Sequence, residues 1–145
     1  MIPDWKVEMD VRVPLDRVKN ELIGKLHDSG FALIVSTTIS PDEVSALSDE
    51  RPVGRSIVVR AGYPREESSH YFTVRLPASL VRCTIVLQEK GAQRVHVELR
   101  RSGRHLDLHD PVLRGHVRVA DEHLQRIASE FRTLSLEAES IPHSA

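Results

Sequence analysis

The residues with the clearest metal-binding chemistry in this sequence lie between His105 and His109. On an extended strand His105, Asp107 and His109 would point to one side, because successive side chains of a strand alternate between its two faces. Imidazole and carboxylate groups are suitable ligands for zinc or iron. The alternative is a polar connection whose Leu106 and Leu108 pack into the core. We prefer this alternative because no second cluster of ligands is apparent in the sequence.

A second group of polar residues lies on a predicted β-hairpin. The segments Val81–Glu89 and Arg94–Arg100 each alternate between apolar and polar residues, and a glycine-containing turn joins them. One face of the hairpin is apolar and the other is mixed. The mixed face carries the four residues that we predict to bind a ligand or partner: Arg82, Thr84, His96 and Glu98. Alternatively, His96 and Glu98 act together in an enzyme of unknown reaction.

Arginine is concentrated at the end of this hairpin, at Arg94, Arg100, Arg101 and Arg104. One interpretation is a solvated strand end and turn, since loops are usually exposed and polar. The other is a site for an anion or a carboxylate, because the guanidinium group forms paired hydrogen bonds to such groups.

Other reactive side chains are interpreted as structural. Cys83 is predicted on the apolar face of the hairpin, where a thiol behaves as a small apolar side chain unless its pKa is lowered. His116 and His123 share a face of the last predicted helix and are interpreted as residues at the boundary of the core. The sequence contains no nucleophile elbow, phosphate loop or dinucleotide fingerprint. We therefore expect no cofactor, and the catalytic residues of any enzyme activity stay unknown.

The periodicity of apolar residues predicts the elements that position these side chains. Strands are predicted over Lys6–Val13 and Phe31–Ile39, and a helix begins at Pro14 and stops near Gly30. From Pro111 to Leu136 apolar residues recur at steps of three and four, which predicts a long helix. A start near Ala120 is the alternative for that helix.

Between these elements, a short helix is predicted over residues 41–48, and a buried strand is predicted to break at Gly62-Tyr63-Pro64. The fold class is therefore α+β, with a mainly antiparallel sheet of four or five strands, helices packed on one face and a long C-terminal helix. Residues 1–138 are expected to form a single domain, followed by a frayed tail over residues 139–145.

Composition restricts the class of protein further. The 145 residues are 40% hydrophobic and 28% charged, which is ordinary for a globular domain. The formal net charge of −1 gives no reason to expect binding to nucleic acid or to a membrane surface. No apolar segment has the length of a membrane span or the form of a signal peptide, and the single cysteine fits a reducing compartment. We therefore expect a cytoplasmic protein.

Three short motifs resemble those of domain of unknown function family 302. Gly62-Tyr63-Pro64 is similar to the family's Gly-Asn-Pro after a buried strand, and His109-Asp110-Pro111 is similar to its Asn-Asp-Pro before the last helix. The segment from Leu80 to Glu89 is similar to its Leu-Leu-Pro-Cys segment and the apolar strand that follows. The chain departs from these motifs at Tyr63, which replaces Asn, and at Arg82, which replaces Pro. Where some members have a first cysteine this chain has Gly62, so the resemblance does not support a two-thiol mechanism.

The resemblance implies a small α+β domain that is often dimeric, and it implies no established activity. With the residue patterns it predicts a non-catalytic ligand-binding or interaction module that forms a homodimer, with the mixed sheet face or the Arg94–Arg104 region as its contact surface. The alternative is an enzyme of unknown reaction that uses a metal bound by His105, Asp107 and His109.

Overall fold

The structure of the protein is a computed structural model that describes residues 4–40, 54–63, 81–103 and 111–140. Within these ranges the chain forms five strands and two helices, which we number along the chain. Their bounds are β1 Trp5–Val11, α1 Leu15–Asp28, β2 Ala32–Ile39, β3 Ser56–Tyr63, β4 Val81–Gly91, β5 Arg94–Arg101 and α2 Pro111–Ser140.

The five strands form one sheet in the order β1-β5-β4-β3-β2, and every neighbouring pair is antiparallel. The predicted hairpin is confirmed as β4 and β5. The N-terminal strand β1 pairs with β5 from Trp5 opposite Arg101 to Val11 opposite Val95. The predicted α+β class, antiparallel sheet and long C-terminal helix are therefore confirmed.

The core lies between one face of the sheet, which we call the inner face, and the two helices. Alternate residues of the central strands point to this face because side chains of a strand alternate with a period of two. The buried residues of the inner face include Val11, Ile57, Val59, Ala61, Cys83, Ile85, Leu87, Val95, Val97 and Leu99. The opposite face, which we call the outer face, carries the polar residues of the same strands.

Helix α1 is bounded by local sequence signals. It begins after Pro14, and the predicted stop at Gly30 is confirmed. Gly30 has φ +92°, the left-handed region that favours glycine. The amide of Phe31 donates to the carbonyl of Leu26 at 3.0 Å, and the amide of Gly30 donates to that of His27 at 3.1 Å. These two bonds satisfy carbonyls at the helix end and turn the chain into β2.

Helix α2 buries the apolar stripe that its periodicity predicted. The buried members of the stripe are Leu113, Val117, Ala120, Leu124, Ile127 and Phe131. The helix begins at Pro111, so the alternative start near Ala120 is wrong. It continues past the predicted end at Leu136 to Ser140 and so includes the first residues of the predicted tail.

The predicted break of the buried strand at Gly62-Tyr63-Pro64 does not include its first two residues. Gly62 and Tyr63 continue β3 and pair with Arg82 and Val81 of β4. Cross-strand pairing therefore extends the strand through residues whose types predicted a turn. The predicted short helix over 41–48, the residues that follow Tyr63 and the residues after Ser140 lie outside the described residues. Neither described helix combines the length and the apolar character that crossing a membrane requires.

Candidate functional site

The four residues predicted to bind a ligand or partner all lie on the outer face. On β4, Arg82 and Thr84 alternate with buried Cys83, and on β5, His96 and Glu98 alternate with buried Val97. The register nevertheless separates them: Thr84 lies opposite Arg100, Glu98 opposite Val86 and His96 opposite Gln88. The four residues therefore share a face without meeting at one point.

His96 belongs to an ion-pair group that includes β1. Its Nδ1 lies 2.9 Å from Oδ1 of Asp10, and Nη2 of Arg94 lies 3.2 Å from Oδ2 of the same carboxylate. The hydrogen bond from His96, with a further contribution from Arg94, holds the pKa of Asp10 below its ordinary value. Asp10 is thus kept ionised and orients the imidazole.

Oε1 of Glu8 lies 3.9 Å from Nε2 of His96 and 3.3 Å from Nζ of Lys6. These contacts connect Glu98 to the same group, because Lys6 also binds Glu98. Nζ of Lys6 lies 3.2 Å from the Glu98 carboxylate, and the guanidinium of Arg100 is also bound to it. Burial alone would raise the pKa of Glu98, but the hydrogen bonds from Arg100 and Lys6 outweigh burial and lower it. Glu98 is therefore an ionised carboxylate with two cationic partners, which suits ionic recognition rather than proton donation.

Thr84 is surrounded by three arginines on the outer face. In the register it lies directly between Arg60 of β3 and Arg100 of β5. Residues opposite each other on neighbouring antiparallel strands have Cβ atoms about 5 Å apart. Arg82 lies two residues away on β4, on the same face and about 7 Å along the strand. We call this group, Arg60, Arg82, Thr84 and Arg100, the arginine cluster.

The arginine cluster has an excess of positive charge. Arg60, Arg82 and Arg100 are exposed, whereas Thr84 is half-buried between them. Arg100 is bound to Glu98, but within the described ranges no carboxylate pairs with Arg60 or Arg82. Like charges on adjacent positions of a sheet repel each other. An anion bound over Thr84 would relieve this repulsion and accept hydrogen bonds from the guanidinium groups.

The arginines that crowd together in the sequence do not form the predicted anion site as a group. Arg101 points to the inner face, where only 4% of it is exposed. Its Nε and Nη2 bind the two carboxylate oxygens of Asp121 on α2, each at 2.8 Å. Arg94 is paired with Asp10. Arg104 lies outside the described residues. Of the three that the structure describes, Arg100 alone joins the arginine cluster.

Cys83 is buried on the inner face, as predicted. Burial raises the pKa of its thiol to about 12, and a backbone hydrogen bond from Ala61 offsets this only in part. The thiol is therefore protonated at neutral pH, and a protonated thiol is a poor nucleophile.

Tyr63, His116 and His123 form a half-buried aromatic group that the sequence did not predict. The Tyr63 ring stacks on the His116 ring with centroids 4.9 Å apart. The Tyr63 hydroxyl oxygen lies 3.3 Å from Nε2 of His123, and Nε2 of His116 lies 3.1 Å from the Tyr63 carbonyl oxygen. The rings of Phe31 and Tyr63 are also in contact, with centroids 5.0 Å apart. This group joins the end of β3 to α2, which is a structural role for the residue that replaces Asn in the family motif.

The proposed metal ligands His105, Asp107 and His109 lie outside the described residues. Among the residues that the structure does describe, no group of three His, Cys, Asp or Glu side chains is arranged to hold a metal ion.

Comparisons with known proteins identify similar folds. No family model and no curated protein matches the chain. Among solved structures, the chain is similar to the uncharacterized conserved protein DUF302 from Bacillus stearothermophilus, with a TM-score of 0.49 and 16% identity over 86% of this chain and 93% of that one. DUF302 is the domain of unknown function family whose motifs the sequence resembles.

A second similar structure is the di-domain ARO/CYC BexL from the BE-7585A biosynthetic pathway. Its TM-score is 0.43 and its identity to this chain is 14%, over 97% of this chain. The chain spans about half the length of that protein, since 48% of it is covered.

Proposed function

We propose that this protein is a non-catalytic binding module that recognises an anionic ligand, with carboxylate or phosphate groups, at the arginine cluster of its outer face. The observation that carries the proposal is the position of Thr84 between Arg60 and Arg100, with Arg82 beside it. Guanidinium groups bind carboxylates and phosphates through two parallel hydrogen bonds, and a threonine hydroxyl adds a further donor.

The surroundings of the cluster support a binding role rather than catalysis. Two carboxylates of the outer face, Asp10 and Glu98, are held ionised by cationic partners. Cys83 is buried and protonated. The outer-face groups can therefore hold charge in fixed positions, and His96 and Glu98 are linked through Glu8 and Lys6. Within this proposal, His96 and Glu98 order the surface beside the ligand, and Arg82 and Thr84 contact it.

We also propose that the module acts as a homodimer. An apolar pair, Val58 opposite Val86, lies next to the arginine cluster on the outer face. Both residues are half-buried. Apolar side chains at such positions suit contact with a ligand or a second chain, because their burial is favourable. Light scattering coupled to size exclusion tests the dimer, and a monomer at every concentration would contradict it.

Calorimetric titration with citrate and with inorganic phosphate, each at constant ionic strength, tests the anion site. The variant R60Q/R82Q removes the two arginines that have no described carboxylate partner. A charge-assisted hydrogen bond is worth about 1.5–3 kcal/mol, so we expect its affinity to fall about ten-fold or more.

The matched control is R114Q/R118Q, which removes two exposed arginines of α2 and the same net charge. We expect the control to bind like the wild type. Equal losses in both variants would show a diffuse charge effect and would contradict a defined site. Absence of binding by the wild type to either anion would also contradict it.

A further inference from the structure

Strand β2 is an edge of the sheet with unusual surface chemistry. In the described residues it pairs with β3 on one side, and no described strand pairs with its other side. Val35, Ser36, Thr37 and Thr38 are exposed, with 59% of Val35 accessible. An edge strand presents a row of backbone donors and acceptors that another strand can pair with.

The two edges of the sheet differ in how they oppose such pairing. At the other edge, β1 carries alternating charges at Lys6, Glu8 and Asp10. In contrast, no charged residue lies between Asp28 and Asp42, and β2 itself contains no proline. Exposed edges are normally protected by charges, prolines or bulges. A register shift interrupts β2 between Ala32 and Val35, but from Val35 to Ile39 the pairing with β3 is regular.

We propose that β2 pairs antiparallel with β2 of a second copy of this chain, which joins the two sheets of five described strands into one continuous sheet. This inference rests on the homodimer of the proposed function and places its contact at the β2 edge, so that Val58 and Val86 stay available to a ligand. An uncharged strand opposite itself places no like charges together, and β-branched residues such as Thr37 and Thr38 form favourable cross-strand pairs. Antiparallel pairing of identical strands has the two-fold symmetry of most homodimers.

The geometry also fits the arginine cluster. A two-fold axis perpendicular to the sheet keeps the outer faces of both copies on the same side. The dimer would then present two arginine clusters on one continuous surface. A ligand with two anionic groups would gain from contact with both clusters, because the second contact is made at high effective concentration.

The variant V35K/T37K tests the interface by placing lysines on the edge that the two copies share. Both residues lie on the outer-face side of β2, opposite Arg60 and Val58. We expect the dimer dissociation constant, measured by light scattering over a dilution series, to rise at least about ten-fold, because like charges at an interface oppose association. The matched control is V112K/V119K, which adds the same charge at exposed positions of α2 and should dimerise like the wild type.

Cysteine crosslinking provides a second readout that does not depend on charge. Because an axis perpendicular to the sheet places one β2 residue opposite its own copy, single cysteines at Val35, Ser36, Thr37 and Thr38 should include a position that forms a covalent dimer on mild oxidation. Buried Cys83 should not react. A cysteine at Val119 is the control for random collision.

The outcomes separate the edge from the other proposals. A wild-type dimer that persists in V35K/T37K, without crosslinking along β2, would overturn the edge interface and leave the homodimer in place. A wild-type monomer at all concentrations would overturn both. Neither result affects the anion site, because titration with citrate measures that site in each chain.

Discussion

Arg101 at the end of β5 and Asp121 on α2 form a bidentate ion pair, with both nitrogen–oxygen distances at 2.8 Å. The pair connects α2 to β5 at the inner face of the sheet. It also explains why two adjacent arginines have different roles, since Arg100 points to the outer face and Arg101 to the core.

Removal of one partner of this pair should destabilise the fold. In D121N the buried guanidinium of Arg101 loses its ion pair with Asp121, and removal of one partner of a buried pair typically costs about 3–5 kcal/mol. The free energy of unfolding measured in urea should fall by this order. The control E8Q removes an exposed carboxylate, with 49% of its side chain accessible, from an ion pair with Lys6 and should cost less than about 1 kcal/mol. Similar losses in both variants would contradict the structural role of the pair.

His123 should make stability depend on pH. Burial first, and Arg126 second, lower the pKa of His123, while Glu122 opposes them. Below the ordinary pKa of 6.5, the unfolded chain therefore binds a proton more readily than the folded one. The contribution of His123 to the free energy of unfolding is therefore complete above pH 6.5. It is lost as the pH falls through the lowered pKa of the folded state.

Urea melts between pH 7.5 and 5 on the wild type and on H123F measure this effect. The wild type should lose more stability over this interval than the variant, which has no proton to bind at this position. If the wild type and H123F lose the same stability between pH 7.5 and 5, His123 is not the source of the pH dependence. NMR titration of the His123 ring should give a pKa below that of the unfolded chain.

The Cys83 thiol should be inert in the native state. Its pKa of about 12 leaves almost no thiolate at neutral pH, and its burial excludes reagents. Labelling with a chromogenic disulfide at pH 8 should be slow in buffer and complete in urea. Rapid labelling of the native protein would show that the hairpin opens and that the Cys83 thiol can react in the folded state.

The metal alternative has a separate test. If the binding role is correct, purified protein should contain zinc and iron only at substoichiometric levels, and H105A/H109A should not change these levels. Elemental analysis by mass spectrometry measures both. One equivalent of either metal, lost in the double variant, would favour the enzyme with His105, Asp107 and His109 as ligands.

Strand alternation was sufficient to predict the two faces of the hairpin, because the side chains from Val81 to Arg100 alternate regularly. The same rule places Arg100 and Arg101 on opposite faces, because adjacent residues of a strand alternate. The prediction of one anion site that contains both arginines did not apply this rule. Pairing of Asp10 with His96 depends on the docking of β1 against β5. That contact joins distant parts of the chain, and local periodicity carries no information about it.

The arginine cluster and the aromatic group both depend on tertiary register. Arg60 meets Thr84 only because β3 and β4 pair with a specific offset. His116 and His123 share one helix face, as the helical spacing predicts. Their contact with Tyr63 depends on the position of α2 over the end of the sheet. At Gly62 and Tyr63 the residue types predict a break, and cross-strand pairing with Arg82 and Val81 outweighs that local preference.

The anion site is tested most directly by recording backbone amide spectra of the labelled protein during titration with citrate. We predict saturable shifts that are largest at Thr84 and at the neighbouring positions Arg60, Arg82 and Arg100, and that are lost in R60Q/R82Q. Shifts of equal size at Arg114 and Arg118, or no saturable shift on β3, β4 and β5, would contradict the proposal that the outer face binds an anionic ligand.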